Sequence, residues 1–228
     1  MPAEIDPFHA VSIGRLAYQL QAQGRSIIHM EYGQPSAGAP KAAIAAAHKV
    51  LGSDALGYWE NPDLKARIAR LYDERYGLLI EPDRVILTCG ASPALVLALT
   101  ATFSPGDRVA LARPGYVAYR NVLKALHMIP VEIPCGPNER FQLTAAALEA
   151  LEAPPAGVIL ASPANPTGSI IPADELKAIA GVCRKLGARI VSDEIYHGIS
   201  YGEPARCMLE FEPEAVLINS FSKYFNMV

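Results

Sequence analysis

Cysteine is scarce and scattered in this chain of 228 residues. Cys89, Cys135, Cys183 and Cys207 stand far apart with no CxxC spacing, which excludes a disulfide framework and a zinc-ribbon site. They read as reduced, mostly buried thiols of a cytoplasmic protein. A basic excess is missing as well: 20 Lys+Arg face 23 Asp+Glu, for a formal net charge of −3. With no basic stripe, neither nucleic acid nor an anionic membrane is an expected partner. No apolar run is long enough to span a bilayer. The N-terminus, "MPAEIDPFHA", has neither the basic n-region nor the apolar h-region of a secretory leader. Internal repeats, low-complexity tracts and long charge blocks are also absent. What the sequence does have is apolar mass. Hydrophobic residues make up 51% and charged residues 19%, so the chain can bury a sizeable core and is not disordered.

From about Arg84 onward, apolar strand-like runs alternate with helix-like segments. "RVILTCG" precedes "SPALVLALTATF", and "DRVALA" precedes "GYVAYRNVLKAL". "MIPVEI", "TAAALEALEA", "AGVILAS", "PADELKAIAGVCRKLG", "ARIVSDEIY" and "AVLINS" follow in turn. Strands that are apolar throughout belong to a parallel sheet covered on both faces. Right-handed crossovers then give a three-layer α/β/α domain. The first eighty residues instead suggest helices: "FHAVSIGRLAYQLQAQG", the Ala-rich "PKAAIAAAHKVLG", and "NPDLKARIARLYDERYG". The last of these starts at Asn61-Pro62, stops at Gly77, and has Leu64, Ile68, Leu71 and Tyr72 on one face. The expected division is an N-terminal helical arm over residues 1–50, forming part of a small domain, and a larger α/β domain over 51–228.

In open parallel sheets, ligands sit beyond the carboxyl ends of the strands. The informative stretches are therefore "CGAS", "RPGY", "SPANPTG", "SDEIYHG" and "SFSK". In "CGAS" a helix start and Gly90 suit an anion, although an ordinary βα turn would look the same. G-A-S-P-A also approaches the GxSxG elbow of serine hydrolases. There, however, the residue after the serine must donate its N–H, and Pro93 has none. Asp193 and Glu194 end a buried strand and could be solvated acids. A Walker-B role for Asp193 would need a GxxxxGK[ST] loop, and the sequence has no Gly-Lys pair. Asn165 alone fits a turn cap, and Tyr116 alone fits core packing. The five histidines form no HExxH and no metal-like cluster, so no metal is expected. His197 reads as a surface or supporting residue rather than a ligand.

Together and in this order, "YGQP" (32–35), "GAS", "PGYVAY", "SPANPTG", "SDEIY" and "SFSKYFNM" resemble the class I/II aminotransferases, fold-type I enzymes dependent on pyridoxal 5′-phosphate. The resemblance implies catalytic roles for Lys223, Asp193 and Tyr116. Lys223 matches the lysine that bonds covalently to the cofactor and later carries a proton. Asp193 matches the carboxylate paired with the pyridine nitrogen, and Tyr116 the aromatic stacked on the ring. Asn165 and Tyr196 match the pair that hydrogen-bonds the ring oxygen O3′. Gly90, Ala91 and Ser92 match the phosphate cradle, to which Ser220 and Ser222 add hydroxyls. Tyr58 resembles the tyrosine that reaches the phosphate from the second subunit of a homodimer, although its loop is shorter than the family's usual spacing. Gly33 and Asn165 match contacts to the substrate carboxylate.

The implied activity moves an amino group between an L-amino acid and a 2-oxo acid such as 2-oxoglutarate. A carbon–sulfur lyase or another lyase using the same cofactor shares these motifs. An aminotransferase-like ligand-sensing domain of a regulator is a non-enzyme alternative, and a serine hydrolase a distant one. The resemblance also implies that the family motif continues past Val228. It leads one to expect an arginine for the phosphate, an antiparallel strand between "VILTCG" and "VLINS", and a C-terminal small domain.

Overall fold

The structure, a computed structural model, describes residue 5 and residues 7–227. Residues 1–4 and 6, at the start of the expected arm, and Val228, the end of the expected motif, lie outside the described residues. Three helices open the chain: α1 (His9–Ala22), α2 (Lys41–Ser53) and α3 (Pro62–Tyr76). Helix α3 begins and ends where its sequence dictates. The Asn61 side chain accepts from the Leu64 N–H, Pro62 occupies the first turn, and Gly77 closes the helix in the left-handed region. Its inward face buries Ala69 and Tyr72, whereas α2 buries no residue.

The body alternates helices and strands. Helix α4 (Ala91–Thr102) leads to β1 (Arg108–Arg113), α5 (Val117–Ala125) to β2 (Ile129–Pro134), and α6 (Ala145–Glu149) to β3 (Gly157–Ala161). Then α7 (Ala173–Leu186) leads to β4 (Arg189–Asp193), and β5 (Val216–Ile218) comes last. The five strands form one sheet in the order β2-β1-β3-β4-β5, and every pairing is parallel. Register is set by apolar residues facing both layers: Val158 pairs with Ile190 and Ile159 with Val191.

One layer packs Leu176, Ile179, Ala180 and Cys183 of α7 and Leu148 of α6 against Ala110, Val158, Leu160 and Ile190. The opposite layer packs Leu95 and Leu99 of α4 and Tyr119 and Leu123 of α5 against Val109, Leu111, Ile159, Val191 and Ile218. Burying each such large apolar side chain stabilises the fold by roughly 1.5–3 kcal/mol. The expected three-layer α/β/α architecture of a fold-type I large domain is present.

One expected strand is not. The apolar run "RVILTCG" predicts a strand of the sheet, but Val85–Cys89 form no ladder, and Ile86 and Leu87 are exposed. A strand exists only through its partner's N–H and C=O groups. Among the described residues no strand lies alongside this segment, and β5 is likewise an outer strand. Helix α6 is also shorter than "TAAALEALEA" suggests, running five residues from its cap at Thr144.

Candidate active site

The candidate residues converge at the carboxyl ends of β1, β3, β4 and β5. Asp193 is the last residue of β4 and is buried. Its Oδ2 accepts a 2.6 Å hydrogen bond from the Tyr119 hydroxyl and its Oδ1 a 3.2 Å bond from the Ile195 N–H. Burial raises the Asp193 pKa above the usual carboxylate range, and these two donors pull it part of the way back. Tyr119 lies in the first turn of α5, which starts just after β1. Burial beside the Asp193 charge pushes its hydroxyl up strongly, so it stays a donor. Tyr116, at the N-cap of α5, packs edge-on to Tyr119 at 5.3 Å and to Phe8 of the arm at 5.8 Å.

Asn165 sits on the loop after β3 and hydrogen-bonds Tyr196, which follows β4. Burial and the Asp193 charge raise the Tyr196 pKa, and the Asn165 bond opposes them. The two prolines of "SPANPTG" do not hold this loop alone. Gln142, itself buried, donates to the carbonyls of Ala161 and Ser169 at 3.1 and 2.7 Å and so clamps both ends. Asn165, Tyr196 and Gly33 line a cavity of about 540 Å³ that also meets Ile170, Ile199 and Tyr201.

Lys223 follows β5 and is half-buried. Its Nζ donates to the Gly33 carbonyl at 3.1 Å, which brings the lysine to the mouth of the same cavity. Ser220 Oγ donates to Ser222 Oγ at 2.9 Å and accepts from the Ser222 N–H. Helix α4 packs on β4 and β5, and its N-terminus is formed by Gly90, Ala91 and Ser92. Gly90 has φ +111, a conformation that side-chain-bearing residues rarely adopt, and the space where its Cβ would stand is open. Tyr58 stands apart: it is fully exposed on the loop before α3.

Sequence reasoning singled out Asp193, Asn165, Tyr196 and Lys223 but missed what supports them. Tyr119 and Gln142 carry no local signal, because each meets its partner only through the tertiary fold. Glu194 and His197 are not the solvated acid and surface residue that their positions suggest; both are buried. Glu194 Oε1 accepts from the Met208 N–H at 2.8 Å and from Ser192 Oγ at 3.1 Å. Burial raises its pKa to about 7 and lowers that of His197 to about 4. Among the described residues, no group of three or more His, Cys, Asp or Glu could hold a metal ion, and no helix is long and apolar enough to cross a membrane.

Residues 25–228 match the family model described as aminotransferase class I and II. A valine–pyruvate aminotransferase of Mycobacterium tuberculosis is 46% identical over 230 residues, 99% of this chain and 59% of that protein. An aspartate aminotransferase of Geobacillus stearothermophilus is 32% identical, over 99% of this chain and 60% of the relative. Among solved structures, an aminotransferase from Mycobacterium tuberculosis superposes with a TM-score of 0.94 at 45% identity, covering 98% of this chain and 59% of the other. The chain thus spans about three-fifths of the length of the relatives it matches. Motif order, sheet topology and these likenesses agree: the chain belongs to the class I and II aminotransferase family.

Proposed function

We propose that this protein is the cofactor-binding part of a pyridoxal 5′-phosphate-dependent aminotransferase. The observation that carries the reading is the buried Asp193 carboxylate, held by Tyr119, with the Asn165–Tyr196 pair beside it and Lys223 on the next strand's loop. This donor set suits a phosphorylated hydroxypyridine. A carboxylate in a site of low polarity favours a protonated ring nitrogen, the amide–phenol pair suits the ring's hydroxyl oxygen, and Tyr116 offers an aromatic face. The N-terminus of α4 and the Ser220–Ser222 hydroxyls suit a phosphate.

When bound, the cofactor supplies an electron sink for the charge left when the substrate α-carbon loses its proton. The chain's own residues do the rest. Asp193 holds the ring-nitrogen proton, and Tyr119 fixes which way the carboxylate points. Asn165 and Tyr196 orient the ring edge through O3′. Lys223 anchors the cofactor and, once released from it, moves a proton at its Nζ. In the structure Nζ rests on the Gly33 carbonyl, so the amine and the proposed substrate-carboxylate contact lie together.

The remaining assignments complete the reading. Residues 1–50 serve as the arm and part of a small domain, and 51–228 as the large domain. Tyr58, exposed on its loop, reaches the phosphate of a second copy in a homodimer. The protein works in the cytoplasm on a small amino acid and a 2-oxo acid. The name of the 46%-identical relative and the apolar Ile170 and Ile199 in the cavity make L-valine and pyruvate the first pair to assay, with 2-oxoglutarate as the alternative acceptor. Protein loaded with pyridoxal phosphate should convert pyruvate to alanine only when an amino acid is supplied as donor. Release of ammonia and a 2-oxo acid from one amino acid alone would point to a lyase instead.

A further inference from the structure

We propose that His197 is a positioning residue for Asn165, acting through the Ser162 carbonyl and held in one tautomer by Tyr76. The inference rests on the cofactor reading above. Ser162 lies three residues before Asn165 and is a junction of the loop after β3. Its N–H donates to the Asp193 carbonyl at 3.3 Å, and its Oγ accepts from the Ile171 N–H at 3.0 Å. Its carbonyl meets His197 Nε2 at 2.9 Å. A carbonyl can only accept, so Nε2 carries the ring proton. A neutral imidazole then leaves Nδ1 as an acceptor, and the Tyr76 hydroxyl donates to it at 2.7 Å.

The wiring has a direction. Tyr76 is the last residue of α3, and the His197 N–H bonds back to the Glu194 carbonyl at 3.0 Å, next to Asp193. One imidazole therefore ties three elements together: the end of α3, the turn after β4 that carries Asp193 and Tyr196, and the loop that carries Asn165. Glu194 does not compete for the ring. Its Oε2 makes no hydrogen bond and lies 3.5 Å from Nδ1, beyond a good contact.

The same helix end holds the lysine segment. The Arg75 guanidinium sits 4.5 Å from the centre of the Tyr224 ring, and Tyr224 follows Lys223. That ring lies so close to Gly198 that a Cβ there would come within 2.5 Å of it. So His197 faces inward to the Asn165 loop, while its neighbour Gly198 admits the residue beside Lys223.

The test uses protein loaded with pyridoxal phosphate and three variants. Asn165 donating to the ring oxygen stabilises that oxygen's negative charge, so a displaced Asn165 raises the pH midpoint of the bound cofactor's absorbance change. His197→Phe keeps an aromatic ring but loses both bonds. It should raise that midpoint and lower kcat about tenfold, with KM changed less. His197→Gln retains a donor for Ser162 and should restore the midpoint most of the way. Tyr76→Phe should give a smaller shift in the same direction. A midpoint in His197→Phe equal to that of the parent protein would overturn the proposal. So would a His197→Gln no better than His197→Phe. Should His197→Phe not fold, nitrogen-15 spectra of the parent protein decide. Nε2 protonated and Nδ1 bare supports the pairing, and the opposite tautomer refutes it. Failure of the parent protein to bind pyridoxal phosphate at all would instead strike the cofactor reading.

Discussion

Asp193 shows how one side chain is tuned by what surrounds it. Burial favours its neutral form, while the Tyr119 hydroxyl and the Ile195 N–H favour the charged one. Asp193→Asn removes the charge and keeps the shape. It should retain the cofactor and lose at least about 100-fold in amino transfer, since an amide cannot stabilise a protonated ring nitrogen. Tyr119→Phe removes only the donor. It should cost about tenfold, the scale of one hydrogen bond to a charged group. Steady-state kinetics on both variants check the order. An Asp193→Asn variant within a few-fold of the parent would show that another group serves the nitrogen. Asp193 is legible in "SDEIY" because a buried strand ending in an acid is a local pattern. Tyr119 is not legible, because nothing local distinguishes it from any tyrosine on an amphipathic helix.

The turn after β4 buries two titratable side chains whose pH effects oppose each other. Between pH 4.5 and about 7 the folded protein keeps a proton on Glu194 that the unfolded chain has lost, so this group's contribution to stability falls as pH rises. Between pH about 4 and 6.5 the unfolded chain carries a proton on His197 that the folded protein lacks, so that contribution rises with pH. The two slopes cancel where the windows overlap. Glu194→Gln leaves only the second. Relative to the parent, this variant should therefore gain about 3 kcal/mol of stability between pH 4.5 and 8, because a proton held across each pH unit is worth about 1.36 kcal/mol. Urea titrations of both proteins at the two pH values measure it. A difference independent of pH would mean that Glu194 is ionised throughout. The elements themselves are largely legible. Apolar runs mark β1 to β5, and Asn61-Pro62 and Gly77 bound α3. The fate of Glu194 and His197 is not, because their burial is set by Met208, Ser162 and Tyr76, all distant in sequence.

At the scale of the whole molecule, the sheet is continuous from β2 to β5 and then has no further partner among the described residues. "VILTCG" reads as a strand for the same reason as "GVILA", yet only the second has neighbours on both sides. Sequence records the preference for an extended conformation, and only the tertiary fold decides whether it is met. Hydrogen exchange on this chain should show the Ile86–Cys89 amides unprotected and those of Val158–Leu160 among the slowest. Equal protection would mean that the first segment is paired. The most direct measurement concerns Lys223. Protein incubated with pyridoxal phosphate, reduced with borohydride, digested and mapped by mass spectrometry should carry a pyridoxyl group on Lys223 and lose it in Lys223→Ala. A stoichiometric adduct on a different lysine, or none, would contradict the assignment of this strand-end site to the cofactor.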